Sequence, residues 1–134
     1  MNIYEARLDP NGDLNAPTVF KQLAASDFHK ATPYYSQELN SLFYSLSNVE
    51  GGELRYSDSG KNALAIGMSG GADSYKYVLR DLDTSFYYPF YDAATGRLFF
   101  AANFEDGYGG TDLYFVYTND GIIMSAPINL GPRI

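Results

Sequence analysis

The sequence has no cysteine and no tryptophan, a single histidine, and 9 Lys and Arg against 16 Asp and Glu. Without cysteine there is no disulfide stapling and no thiol chemistry, a composition that fits the cytosol and equally a disulfide-free periplasmic domain. His29 has no second histidine to complete a metal set or triad. No Gly-x-Ser-x-Gly motif supplies a nucleophile, so His29 reads as a surface residue near Asp27. The formal net charge of −7 comes with no local Lys/Arg cluster, so the surface repels phosphate backbones, which argues against nucleic-acid binding. The apolar runs are too short to span a bilayer, and no transmembrane segment is expected. Residues 1–9, MNIYEARLD, lack the apolar stretch of a signal peptide, which suggests either an intracellular protein or a mature or excised segment.

What is abundant is tyrosine, phenylalanine and glycine. The 134 residues suit one domain, and 46% hydrophobic against 19% charged residues allow a packed core. The 13 Tyr and 9 Phe favour pleated, half-buried surfaces, and 13 Gly suggest many tight turns. The expected class is all-β and antiparallel.

The chain also repeats itself. Pro33–Ser47, PYYSQELNSLFYSLS, aligns with Pro89–Asn103, PFYDAATGRLFFAAN, matching Pro33 to Pro89, Tyr35 to Tyr91, Leu42 to Leu98 and Phe43 to Phe99. Gly51-Gly52 then aligns with Gly109-Gly110 after a small insertion. A second echo links Ile3–Phe20 to Leu113–Leu130: both run from Leu/Ile-Tyr through an Asn/Asp-Gly turn to Ala-Pro and a short apolar end. Leu39, Leu42, Phe43 and Leu46 have helical spacing, but Asn40 corresponds to Gly96 in the sister copy, where Thr95-Gly96 reads as a turn. The repeat therefore predicts strands over 41–46 and 97–102.

Residues 97–131, RLFFAANFEDGYGGTDLYFVYTNDGIIMSAPINLG, resemble the TolB-like, WD-type β-propeller repeat found in OmpA-type outer-membrane lipoproteins of Gram-negative bacteria. The likeness is strong over 86–133, weaker over 29–57, and half a repeat at 2–20. It departs where Ser36–Asn40 and Asp92–Gly96 replace the usual Ser-Pro-Asp-Gly, and where Phe104 replaces an arginine. The resemblance implies four-stranded blades: the second half of one over 2–25, a full blade over 29–70 and another over 86–134. That is roughly two and a half blades, where a closed propeller needs about four. The chain would then be incomplete as a monomer, either a segment of a longer protein or completed by its own copies. The resemblance further implies a periplasmic, outer-membrane-associated setting, with envelope proteins or the remaining blades as partners.

The densest motif is Asn103–Tyr114, NFEDGYGGTDLY, with three glycines and three acids. A phosphate cradle would need a following helix, and Leu113-Tyr-Phe-Val reads as a strand. Calcium could draw on Glu105, Asp106 and Asp112, although the spacing matches no EF-hand loop. A sugar or peptide site could use Asn103, Tyr108 and Asp112. The favoured reading is a turn, because the sister copy keeps Gly51-Gly52 but has Leu54 at the position of Asp112 and Glu50 at that of Tyr108. The carboxylate pairs Asp81/Asp83 and Glu105/Asp106 read as solvated edges rather than a glycosidase pair. The tyrosine clusters read mainly as packing, with the region of Tyr87-Tyr88 a candidate for solvent or a partner. With no catalytic constellation, no enzymatic activity is expected and no cofactor unless calcium, and the resemblance implies a propeller scaffold or protein-interaction module of the bacterial cell envelope. A glycan-binding or glycan-processing propeller fragment is the alternative.

Overall fold

The computed structural model describes residues 3–20, 28–69 and 75–133. They are all-β, with thirteen short strands and every pairing antiparallel. Strands β1 (Tyr4–Glu5) and β2 (Thr18–Val19) form an N-terminal ribbon. Strands β3 (Lys30–Ser36), β4 (Ser41–Ser47), β7 (Leu64–Ser69) and β8 (Tyr75–Leu79) form a sheet in that order. Between them in sequence, β5 (Val49–Glu50) and β6 (Glu53–Leu54) make a separate hairpin. The largest sheet joins β9 (Phe86–Asp92), β10 (Arg97–Ala102), β11 (Asp112–Asn119) and β12 (Ile122–Ile123), with β13 (Ile128–Asn129) folding back onto β11. Among the described residues no helix is long and apolar enough to cross a membrane.

The expected strands over 41–46 and 97–102 are present as β4 and β10. Asn40 and Gly96 both have positive φ, +46° and +69°, so the sister positions make the same turn. The duplication extends to irregularities: Thr32 (φ +47°) and Tyr88 (φ +52°) each precede a proline and mark a bulge in the first strand of their hairpin. The second echo holds too. Tyr4 pairs with Val19 as Tyr114 pairs with Asn129, and Phe20 donates to Ile3 as Leu130 donates to Leu113.

The propeller expectation is overturned. The strands lie in four separate, open antiparallel sheets of two to five strands, and none is closed or curled as a propeller's blades are. The TolB-like, WD-type resemblance fails with it, as does the OmpA-type association. The physical reason lies in what the shared motif encodes. Asn/Asp-Gly turns, Gly-Gly links and alternating apolar residues specify hairpins and their registers, and those are what the duplicated segments form. They do not specify how successive sheets are set against one another.

Strand β4 organises the packing. All seven of its residues, SLFYSLS, are buried, so the run is covered on both faces. Phe43 joins a core with Ile66, Leu98, Phe100 and Val116 between the two large sheets. Leu42, Tyr44 and Leu46 point the other way, against Ala65, Ile3 and Phe20. The helical spacing of Leu39, Leu42, Phe43 and Leu46 thus serves two cores flanking one strand. The serines between are satisfied: Ser45 Oγ donates to the Phe86 carbonyl at 3.3 Å, and Ser47 Oγ accepts from the His29 amide at 3.2 Å. Tyr44 is the exception. Its ring is fully buried and its hydroxyl lacks a hydrogen-bond partner among the described residues, while burial, followed by nearby Tyr75 and Tyr77, raises its pKa well above the ordinary phenol range.

Two substitutions test this packing by urea denaturation. Tyr44→Phe deletes an unpaired buried hydroxyl and keeps the ring, so stability should hold or rise by up to about 1 kcal/mol. A clear loss would mean that the hydroxyl is bonded in solution. Gly96→Ala should lose roughly 1–2 kcal/mol, because a β-carbon there has positive φ and would sit 2.8 Å from the Thr118 carbonyl oxygen.

Candidate binding surface

The residues of NFEDGYGGTDLY fall into two groups, Asn103–Asp106 along one groove and Tyr108–Asp112 in a hydrogen-bonded turn. Asn103 Oδ1 accepts from the Ser85 amide at 2.9 Å, tying the end of β10 to the start of β9. Asp112 Oδ2 accepts from the amides of Tyr108 at 2.5 Å and Gly109 at 3.3 Å, and from Asn129 Nδ2 at 3.4 Å. That carboxylate is therefore engaged within its own loop. It is also why Gly107 is glycine: a β-carbon there would lie 2.4 Å from Asp112 Oδ2. The Tyr108 side chain projects into solvent. Glu105 and Asp106 lie apart from Asp112 in function, lining with Asn103, Asp81 and Asp83 an open groove of about 590 Å³. Among the described residues, no three His, Cys, Asp or Glu side chains are placed to hold a metal ion. Within the groove Asp81 Oδ1 accepts from the amides of Asp83 and Thr84, so it builds the turn before β9.

A different surface stands out, one that the loop motif did not signal. Strands β9, β10 and β11 alternate, as half-buried strands do, but the outward residues are largely aromatic. In the ladder Phe90 is opposite Phe99, Phe99 is opposite Phe115, and Phe115 is opposite Ile128. One apolar row therefore crosses four strands. Ring centroids stand 6.2 Å apart for Phe90–Phe99 and 5.6 Å for Phe99–Phe115. The row continues to Tyr34 of the neighbouring sheet, 4.9 Å from Phe90, and turns at Phe115 to Tyr117, 5.4 Å away.

One cation sits on this row. The Arg97 guanidinium lies 5.0 Å from the Phe99 centroid and 5.4 Å from that of Phe115, with Asp92 Oδ2 3.7 Å from its terminal nitrogen. Phe90 is 50% exposed, Tyr117 45% and Ile128 40%, whereas inward Leu98 and Val116 are fully buried. An antiparallel sheet in water ordinarily shows polar residues on its free face. Here that face is apolar, and the bulge at Tyr88 adds a ring that is 69% exposed. The alternation of PFYDAATGRLFFAAN and LYFVYTN holds the signal in principle. Because both alternating sets are apolar, the sequence does not tell which set faces out.

A third feature is built on the β5–β6 hairpin. Glu50 Oε2 accepts from Arg55 Nε at 2.9 Å and lies 3.8 Å from an Arg80 terminal nitrogen. The hydrogen bond from Arg55 and its charge, with a smaller contribution from Arg80, hold the Glu50 carboxyl below its ordinary pKa. The pairing is complete above the usual carboxylate range and is lost as pH falls through the lowered value. Comparison with protein-family models, curated proteins and solved structures gives no match to this chain.

The pair is testable by following side-chain carboxyl shifts during an NMR pH titration. Glu50 should titrate below free glutamate, and Arg55→Gln should move its midpoint upward; an unmoved midpoint would show the pair to be absent in solution. In the loop, Asp112→Ala should cost about 1 kcal/mol of stability by removing the acceptor for two amides. Thermal or urea unfolding measures it.

Proposed function

We propose that the protein is a non-catalytic protein-interaction module whose working surface is the outward aromatic face of β9, β10 and β11. The observation that carries this reading is the row Phe90–Phe99–Phe115–Ile128, exposed at Phe90 and Ile128 and half-buried at Phe99 and Phe115, on a sheet that has a separate, buried inner face. Exposed aromatic rows around an arginine match the anchors enriched in protein interfaces. Removing such rings from water on association contributes roughly 25 cal/mol per Å².

Ring geometry supports a protein partner over a sugar. A pyranose stacks on flat, coplanar rings, whereas neighbouring rings here are inclined by 59°, 50°, 43° and 88° along the row. Such a surface is ridged and suits interdigitating side chains. The Asp112 carboxylate is also taken up by the Tyr108 and Gly109 amides, and the Tyr108 ring is exposed, which favours the aromatic face over this loop as the working surface. The partner is defined by chemistry: an apolar surface carrying an acid that can approach Arg97.

The test places a photo-crosslinking phenylalanine analogue at Tyr117 in the source cell, with exposed Asn11 in the N-terminal turn as a control position. Crosslinks to a defined polypeptide from Tyr117 but not Asn11, lost when Phe99→Ser is added, are expected. Equal crosslinking from both positions, or products containing only carbohydrate, would sink the proposal. Phe99→Ser should leave the fold intact, since Phe99 lies outside the buried cluster.

A further inference from the structure

The hairpin of β5 and β6 overhangs the chain that follows β8, and between them lies an open groove of about 620 Å³. Its lining includes Leu54, Tyr56 and Leu82, which are 37%, 54% and 47% exposed. Arg55 and Arg80 line it too, both directed at Glu50. The groove's lining sets these two arginines against two acids, Glu50 and Asp81, so in a chain of net charge −7 it is locally neutral rather than acidic.

Arg80 is fixed in place. Its Nε donates to Asn48 Oδ1 at 2.6 Å, a terminal nitrogen donates to the Val49 carbonyl at 3.3 Å, and its plane lies 4.6 Å over the Tyr77 ring. Asn48 is fully buried, its carbonyl accepting from the Arg55 amide at 2.8 Å and from Asn62 Nδ2 at 2.9 Å. The Tyr77 hydroxyl donates to the Ser47 carbonyl and accepts from the Val49 amide, both at 2.9 Å. A guanidinium held this way has little rotational freedom left to lose when it binds an anion. Glu50 is a looser partner: its side chain is 59% exposed, and every close approach from the two arginines is to Oε2 alone.

We infer that this groove is a site for the C-terminal carboxylate of an extended peptide with an apolar last residue, and that Glu50 occupies the carboxylate position when the site is empty. A ligand carboxylate can offer one oxygen to each guanidinium, which Glu50 does not. The last side chain rests on Leu54, Tyr56 and Leu82. Strand β6 pairs only with β5 among the described residues, so its free edge presents backbone groups to the incoming chain. Asp81 also lines the groove and disfavours a second acid near the terminus. This site is remote in sequence from the aromatic face and does not rest on the function proposed for it.

The experiment uses the full chain, labelled with nitrogen-15, and two N-acetylated probes of sequence Ser-Gly-Gly-Phe, one with a free carboxylate and one amidated. The free acid should shift the amides of residues 50–56 and 80–82, with the amidated probe bound at least about tenfold more weakly. Glu50→Gln should tighten binding of the acid about tenfold by releasing both guanidiniums, and Arg55→Gln should weaken it by a similar factor. Both are exposed positions, and spectra of the free variants verify that they fold. Equal binding of acid and amide, no shifts with either probe, or weaker binding by Glu50→Gln would each overturn the assignment.

Discussion

Burial of β4 on both faces is the constraint on which the rest of the structure depends. A strand covered on both sides must satisfy two packing patterns at once, and SLFYSLS does so by giving its two faces residues of different bulk. Leu42, Tyr44 and Leu46 fill one side, Phe43 and three serines the other. The small serines let β9 approach closely enough for the Phe86 carbonyl to meet Ser45. That approach sets the second large sheet against the first. The N-terminal ribbon is held for the complementary reason, because Ile3 and Phe20 close the side that would otherwise expose Tyr44 and Leu46.

With its inner face committed to this core, the largest sheet has only its outer face to present. Leu98, Phe100, Tyr114 and Val116 point inward, and their neighbours Phe99, Phe115 and Tyr117 have nowhere to go but out. Arg97 partly compensates by lying across two rings, shielding them with its apolar stem while its charge stays near Asp92. The face is therefore wettable at one spot and apolar around it, a compromise between solubility and adhesion.

Local structure was legible in the residues; arrangement was not. Turn positions such as Asn40 and Gly96, the strands over 41–46 and 97–102, and both internal echoes follow from short-range chemistry and appear with matching registers. The propeller was an inference about how sheets assemble, drawn from motifs that specify only hairpins, and it failed at that step. In the 103–114 loop, where the sister copy's Gly51-Gly52 favoured a turn, Asp112 accepts from the amides of Tyr108 and Gly109. The arginine groove was invisible because Glu50, Arg55 and Arg80 are neither clustered in sequence nor part of a recognisable spacing. Only the fold of the 49–54 hairpin brings them together.

The twin bulges have a consequence for what the molecule refuses to do. Thr32 and Tyr88 stand on β3 and β9, each the last strand of its sheet, and each is followed by a proline that cannot donate a hydrogen bond. They abut, with the Tyr88 amide 3.4 Å from Thr32 Oγ1. Two borders that could each have recruited a further strand are thus bent, deprived of a donor and turned toward one another. A chain so rich in aromatic β-formers runs the risk of endless lateral growth, and the duplicated defect closes that route at the junction of its two main sheets. At that junction the apolar surface left to offer is the broad side of the larger sheet, where association stops once that side is covered.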